Sequence, residues 1–240
     1  MWRRMVAGLA VIAAAAVLAP AAHAQDSSLG FNLGYFTLRG ADSRTGGDVL
    51  NAGLCIDATF ACEPLLFEVD DFNGATFGAE YILGIGDYFE ASAGIGFYQR
   101  TVPSIYEGWT DIDGTEIEQD LKLRVIPYSA TVRFIPTGRA SGFQPYVGVG
   151  VAAFQWRYTE TGEFLDTSDL SVFRASYEAD GTDFGPLVLA GVKAPVANNF
   201  LIGGEVRWQR AEGDLSEDDF LGDKIDLGGI SYSAVLQVRF

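Results

Sequence analysis

The chain has 240 residues, 48% of them apolar, and carries 32 acidic against 16 basic side chains, a formal net charge of −16. That sign excludes nucleic acid as a partner, because phosphate-backbone binding needs clustered Lys and Arg. The single histidine and the two cysteines are the scarce reactive types, so their positions matter.

The chain opens with a short basic region, Arg3 and Arg4, followed by an apolar run over residues 5–18 and a break at Pro20. Ala22-His23-Ala24 then has the small-x-small form of a cleavage site, so residues 1–24 read as a Sec-type signal peptide cut after Ala24. The other reading, a membrane anchor, needs about 20 apolar residues, and the run is shorter. The exported chain, residues 25–240, then keeps 14 basic and 32 acidic residues, a net of −18. Its two cysteines, Cys55 and Cys62, are expected to pair in an oxidising compartment, with two free thiols as the alternative.

From there on, apolar residues recur with period two, the spacing of a strand with one apolar face. Eight such stretches follow in order: residues 29–39, 72–83, 88–101, 121–134, 144–158, 184–196, 200–210 and the terminal SYSAVLQVRF. Each reaches the ~9–11 residues that a tilted strand needs to cross a bilayer. In the third, Phe89, Ala91, Ala93, Ile95 and Phe97 share one face, and Glu90, Ser92, Gly94, Gly96 and Tyr98 the other. A face of glycines and charges makes a poor dry core, which favours apolar-outward packing against lipid over a soluble barrel. The fourth stretch changes phase near Val125-Ile126-Pro127, and a bulge at the proline is the expected cause.

The connections sort by length. Residues 84–87, 135–142 and 195–199 are short; 41–71, 102–120, 159–183 and 211–226 are long and hold 27 of the 32 acids. Short turns on one side and long loops on the other are the layout of an all-β, eight-stranded antiparallel up-and-down transmembrane barrel, with short turns and both termini in the periplasm. The last strand must pair with the first, because lipid offers nothing to an unpaired N–H or C=O.

The stretch LKLRVIPYSATVRFIPTGRASGFQPYVGVGVAAF, residues 121–154, resembles the middle of the small outer-membrane barrels of the outer membrane protein W, X and A types and their porin-like relatives. GEVRW, residues 204–208, and the closing VRF fit the same superfamily. The chain's end is similar to that family's C-terminal assembly signal: Phe240 last, with Val238, Leu236 and Tyr232 at alternating positions before it. The resemblance implies a Gram-negative outer membrane and recognition by the barrel-assembly machinery. The long first loop with Cys55 and Cys62 departs from the simplest members.

No catalytic residue is expected. The only histidine, His23, leaves with the signal peptide, which removes imidazole as base or ligand and excludes a Ser-His-Asp arrangement. Alternation places Glu80, Glu90, Arg100, Arg133, Lys193, Glu205, Arg207 and Arg239 inside the barrel, with Glu80 and Glu205 facing Arg133 and Arg207 at the centre. An eight-stranded lumen is just wide enough for side chains, so these charges read as a packing network; the alternative is a narrow polar pore. The acidic runs 111–120 and 216–226 lack EF-hand spacing and read as solvated loops, with loose divalent bridging to lipopolysaccharide as a further option. No metal site and no cofactor are expected. Trp109, Trp156 and Tyr158 read as girdle aromatics at the membrane rim. The expectation is a monomeric barrel with a structural or surface-interacting role, in contact with outer-membrane lipids and lipopolysaccharide. A narrow channel for small solutes is the alternative.

Overall fold

The computed structural model describes residues 27–51, 65–166, 171–216, 220 and 222–240. The expected leader with His23, its cleavage position after Ala24, and both Cys55 and Cys62 lie outside the described residues.

Eight strands form a closed antiparallel ring: β1 (Ser27–Leu38), β2 (Gly74–Ile85), β3 (Phe89–Thr110), β4 (Glu116–Phe134), β5 (Gln144–Leu165), β6 (Val172–Ala197), β7 (Phe200–Gln209) and β10 (Gly229–Arg239). Two three-residue strands, β8 (Glu212–Asp214) and β9 (Lys224–Asp226), form a separate ribbon between β7 and β10. The ring closes where β1 meets β10, paired from Ser28↔Arg239 to Leu38↔Gly229. The last residue is tied in as well, its N–H donating to the Ser27 carbonyl at 3.0 Å.

Half of this ring wears its apolar side chains outward. Val147, Val149 and Val151 of β5, Val132 and Phe134 of β4, and Leu33, Tyr35, Tyr232 and Leu236 of the closing strands are all exposed. On β5 the outward apolar run covers residues 145–153. At about 3.3 Å per residue and a tilt near 40°, nine residues rise about 23 Å, the height of a lipid-facing belt.

Beyond the belt the polarity inverts, and β4 shows how. Its odd residues point inward along the whole strand. Below Pro127 those inward residues are Ser129, Thr131 and Arg133; above it they are Val125, Leu123 and Leu121, all buried. The outward residues change the opposite way, from Val132, Ala130 and Tyr128 to Arg124, Lys122 and Asp120. The bulge expected at Pro127 is not formed. Pairing with β5 runs unshifted from Gln119↔Gly162 to Phe134↔Val147, and the register with β3 is the same on both sides of the proline. The apparent phase change is a change of surroundings: inside the belt the apolar face meets lipid, and beyond it the apolar face must turn inward, away from water.

The lengths of the connections are corrected for the same reason. Segments 102–120 and 159–183, expected to be long loops, are mostly strand: β3 and β4 join through residues 111–115, and β5 and β6 through 166–171. Their acids alternate with inward residues, as in Glu116, Glu118 and Asp120 against Ile117, Gln119 and Leu121. Two connections at this end are long, residues 39–73 and 210–228. Gly114 (φ 85°) at the β3–β4 tip and Gly138 (φ 83°) in the β4–β5 turn take left-handed backbone that side chains disfavour.

The inversion makes one substitution cost different amounts at two heights. Val149→Arg, in the middle of the belt, is expected to destabilise the barrel by about 2–4 kcal/mol, and Thr161→Arg, outward on β5 beyond the belt, by less than about 0.5 kcal/mol. Urea unfolding of both variants in phospholipid vesicles measures the difference.

Candidate functional site

The interior has two tiers, and the lower one, inside the belt, is ionic. The Arg133 Nη2 donates to both carboxylate oxygens of Glu80 at 2.7 Å and to Oε2 of Glu205 at 3.2 Å. Glu205 also accepts from Nη2 of Arg207 at 2.8 Å and from the Tyr146 hydroxyl at 3.1 Å. Ser92 donates to Glu80 and shares a 2.7 Å contact with Thr131. Nearer the short turns, the Lys193 ammonium donates to both oxygens of Glu90 at 2.7 and 2.6 Å and to Gln237 at 2.8 Å, and Gln237 donates to Ser28. The Tyr146 ring lies between the two clusters, 5.4 Å from the Arg133 guanidinium and 5.5 Å from Lys193. Each cation thereby gains a π face as well as a carboxylate.

These partners come from opposite walls. Glu90 stands directly across the β3–β4 ladder from Arg133, yet Arg133 reaches to β2 and β7 while Glu90 is taken by Lys193 of β6. Glycines clear the way. A Cβ at Gly30 or Gly94 would come within 2.9 Å of Glu80, one at Gly148 within 3.0 Å of Arg133, and one at Gly191 within 2.5 Å of Tyr146. The tier holds three carboxylates, Glu80, Glu90 and Glu205, each within 4 Å of a cation: Arg133, Lys193 or Arg207, with Arg139 approaching Glu90 from the turn. Such close counter-charges offset the desolvation of a buried ionic layer.

Of the eight residues assigned to the interior by alternation, Arg100 stands apart and Arg239 lies at the edge of the network. Arg100 is exposed at the long-loop end of β3, its Nε donating to the Asp71 carbonyl at 2.9 Å. Arg239 lies at the short-turn end, donating to the Arg139 carbonyl and to Gln144 at 3.1 and 3.3 Å. Parity gives the correct face for Arg100, but its height carries it past the network. Sequence reasoning missed Tyr146, Ser92, Gln144 and Gln237, which share the inward parity and carry no charge to draw attention. It also missed Arg139, a turn residue that reaches back to within 3.7 Å of Glu90.

The upper tier is apolar. Phe36, Tyr98, Val102, Leu121, Leu123, Val125, Phe154, Leu187 and Leu189 point inward beyond the charges, and Leu50, Phe72, Phe220, Ile225 and Leu227 from the long connections pack on them. Trp156 and Tyr158 belong here too, which corrects their assignment to a rim girdle: their even positions on β5 face inward, and both are buried. The Trp156 indole is wedged between Gly181 and Gly213 and donates to Asp183 at 2.7 Å. Trp109, by contrast, is half-buried near the β3–β4 tip. The first and last connections are pinned together by the Asp226 N–H donating to Asp48 at 2.9 Å, by Arg44 donating to the Asp226 carbonyl at 2.7 Å, and by an ion pair of Arg39 with Asp226 at 3.0 Å; Arg44 also pairs with Asp48 within the first connection.

Between the tiers a cavity of about 50 Å³ remains, lined by Asn32, Thr76, Glu80, Ser129, Arg207 and Ser233 among others. That is room for one or two waters. Glu160, buried on β5 within the apolar tier, accepts from the Tyr158 hydroxyl at 2.9 Å. Burial raises its carboxyl to about 7, the Tyr158 hydrogen bond opposing only in part. Among the described residues no three His, Cys, Asp or Glu side chains converge as a metal site. Cys55 and Cys62 lie outside the described residues. Of the alternating terminal residues, Tyr232, Leu236 and Phe240 are exposed on the outer wall, Val238 is half-buried between them, and the Phe240 ring lies 6.5 Å from Tyr81.

Residues 7–232 match the family model described as the outer membrane protein beta-barrel domain. No curated protein matches. Among solved structures the chain is similar to the outer membrane protein OprG from Pseudomonas aeruginosa, at 13% identity over 90% of this chain and 96% of that one, with a TM-score of 0.53. Neisserial surface protein A (NspA) is 14% identical over 90% and 97% of the two chains, with a TM-score of 0.46. The N-terminal barrel of Pseudomonas aeruginosa OprF is 12% identical over 91% and 100%, with a TM-score of 0.42. At these identities the OprG likeness shows the fold alone.

Two outcomes follow from the interior geometry. Arg133→Met leaves Glu80 and Glu205 short of their shared cation and is expected to cost about 3–5 kcal/mol, measured as a lowered unfolding midpoint in urea. Glu160 is an acid whose folded value lies above its ordinary one, so the native state is favoured while it is protonated. That contribution is whole below about pH 4.5, fades as pH rises and is gone above about 7. Glu160→Gln is therefore expected to match the wild type at pH 4 and to exceed it at pH 8 by up to about 3 kcal/mol, read from unfolding curves at the two pH values.

Proposed function

Because the chain belongs to the outer membrane protein β-barrel domain family, we propose that it is a sealed structural barrel whose acidic long-loop end meets the surroundings of the cell. The observation that carries this reading is the double closure of the lumen. An ionic layer and an apolar plug lie in series, and the cavity between them measures only about 50 Å³. The side chains of both layers are buried against one another, which supports a closed lumen. The pinning of residues 39–51 to β9 through Asp48 and Asp226 adds a lid to the plug.

In this reading residues 1–24 are a signal peptide, both termini and the short turns face the periplasm, and the long-loop end faces outward. The acids of that end, far in excess of its bases, favour contact with lipopolysaccharide through divalent ions and exclude nucleic acid. Cys55 and Cys62 pair in the outward first loop. The terminal strand with Tyr232, Leu236, Val238 and Phe240 is handed to the barrel-assembly machinery. The barrel works as a monomer, without cofactor or metal and without enzymatic chemistry: the one histidine, His23, is removed with the leader, and every charge of the lower tier is already engaged by a counter-charge.

Planar-bilayer recording tests the sealed lumen. The wild-type barrel is expected to add no discrete openings to the membrane. Unitary openings whose size shifts in Arg133→Gln or Glu205→Gln would overturn the structural role in favour of a narrow solute channel.

A further inference from the structure

The outer wall just beyond the lipid-facing belt carries a charge pattern that neither interior tier uses. Along β4 the outward residues, read away from the belt, are Ile126, Arg124, Lys122, Asp120, Glu118 and Glu116. Two bases thus stand between the apolar belt and a run of acids, in a chain with twice as many acids as bases.

The neighbours on β3 sharpen the pattern. Gln99 is the register partner of Arg124 and Thr101 that of Lys122. Both are exposed, and the next outward positions on β3 are Pro103 and Ile105, so no carboxylate faces the two bases from that side. On the other side Arg124 stands opposite Arg157 of β5. Like charges directly opposed across a sheet repel. Arg157 is compensated by Glu178 at 3.1 Å and has Asp180 as its own register partner. Arg124 and Lys122 have no hydrogen-bond or ion-pair partner among the described residues. Cross-strand neighbours are about 5 Å apart and alternate residues along a strand about 7 Å apart, so the four side chains frame a patch of phosphate size.

Height identifies the anion. Each outward step along a strand tilted near 40° rises about 5 Å. Arg124 therefore falls within the headgroup layer, which extends about 5–7 Å beyond the hydrocarbon, and Lys122 at its margin, within reach of its long stem. Lipid phosphates are the anions held at that level.

We propose that Arg124, Lys122, Gln99 and Thr101 form a binding site for the phosphate monoester of an anionic lipid in the leaflet at the long-loop end. The site deepens the lipid-contact reading above and rests on the belt being embedded in the bilayer. The two bases neutralise the dianion while Gln99 and Thr101 donate to its oxygens. The acids from Asp120 outward keep the site confined to the headgroup level.

The test reconstitutes the folded barrel into nanodiscs of phosphatidylcholine with a minor share of phosphatidic acid and counts, by native mass spectrometry, the lipids retained after mild detergent extraction. Wild type is expected to retain phosphatidic acid well above its share. The double variant Lys122→Gln/Arg124→Gln is expected to lose that enrichment roughly tenfold or more. Arg174→Gln, an exposed base far beyond the belt, is expected to keep it. Inorganic phosphate at the same concentration is expected to displace none of the bound lipid. Equal retention by wild type and the double variant, equal loss in Arg174→Gln, or displacement by inorganic phosphate would each overturn the site. Heat-modifiable gel migration reports separately on the barrel: its loss in wild type would strike the embedded-barrel reading, whereas its presence alongside absent enrichment strikes the lipid site alone.

Discussion

Every feature of this protein depends on one requirement: a sheet placed in hydrocarbon leaves no backbone N–H or C=O for water to satisfy, so the sheet must have no edge. The unbroken ladder between β1 and β10 meets it, from Ser28↔Arg239 to Leu38↔Gly229. With the edge gone, eight strands fix a lumen about as wide as the side chains that point into it. What fills the lumen is then set by height. Inside the belt the outward face belongs to lipid, so the inward face is free to be polar. Beyond the belt the outward face belongs to water, and the apolar residues of the same strands turn in.

The two fillings obey different energetics. In the lower tier each charge pays to leave water and is repaid only by close counter-charges, which is why Arg133 and Lys193 each hold a carboxylate at 2.7 Å or less and face the Tyr146 ring. The glycines opposite Glu80 and Arg133 belong to that arrangement, since a methyl group at Gly94 or Gly148 would occupy the space the charged stems need. The upper tier needs no such pairing and gains from burial alone. Its exception is Glu160, an acid set among Tyr158, Phe220 and their neighbours, whose carboxyl burial holds near neutrality. The connections above are held by salt bridges whose carboxylates, Asp48 and Asp226, are wholly buried. The lid is thus part of the folded core and not a loose surface loop.

Much of this was legible along the chain. Strict alternation in β1, β2, β3, β7 and β10 showed both the strands and the face that each presents, because a period of two survives whichever side is lipid. Parity also gathered Glu80, Glu90, Arg133, Lys193, Glu205 and Arg207 on the inner wall. It carries no heights, so it groups Arg100 with residues that lie far from it along the axis, and it does not show that Arg239 reaches only the short-turn edge of the network, at Gln144. The extended halves of β3 to β6 look like loops along the chain because their outward positions are acidic, and acid-rich stretches resemble loops when only composition is weighed. Composition likewise suggests a membrane rim for Trp156 and Tyr158, which their inward parity on β5 denies them.

A closed antiparallel barrel of eight strands, its lipid-facing positions and the set of charges pointing to its axis are readable along the chain, since they follow from a local two-residue period and from the cost of an open edge in lipid. The expected central cluster of Glu80 and Glu205 with Arg133 and Arg207 is formed, but the folded ring was needed to show that Lys193 takes Glu90 beside Tyr146, where the strands leave the membrane, and that the polarity of one continuous strand such as β4 reverses at Pro127 without any change of register. Those outcomes depend on shear, tilt and the height at which lipid gives way to water, quantities that belong to the closed ring as a whole and to no segment of it.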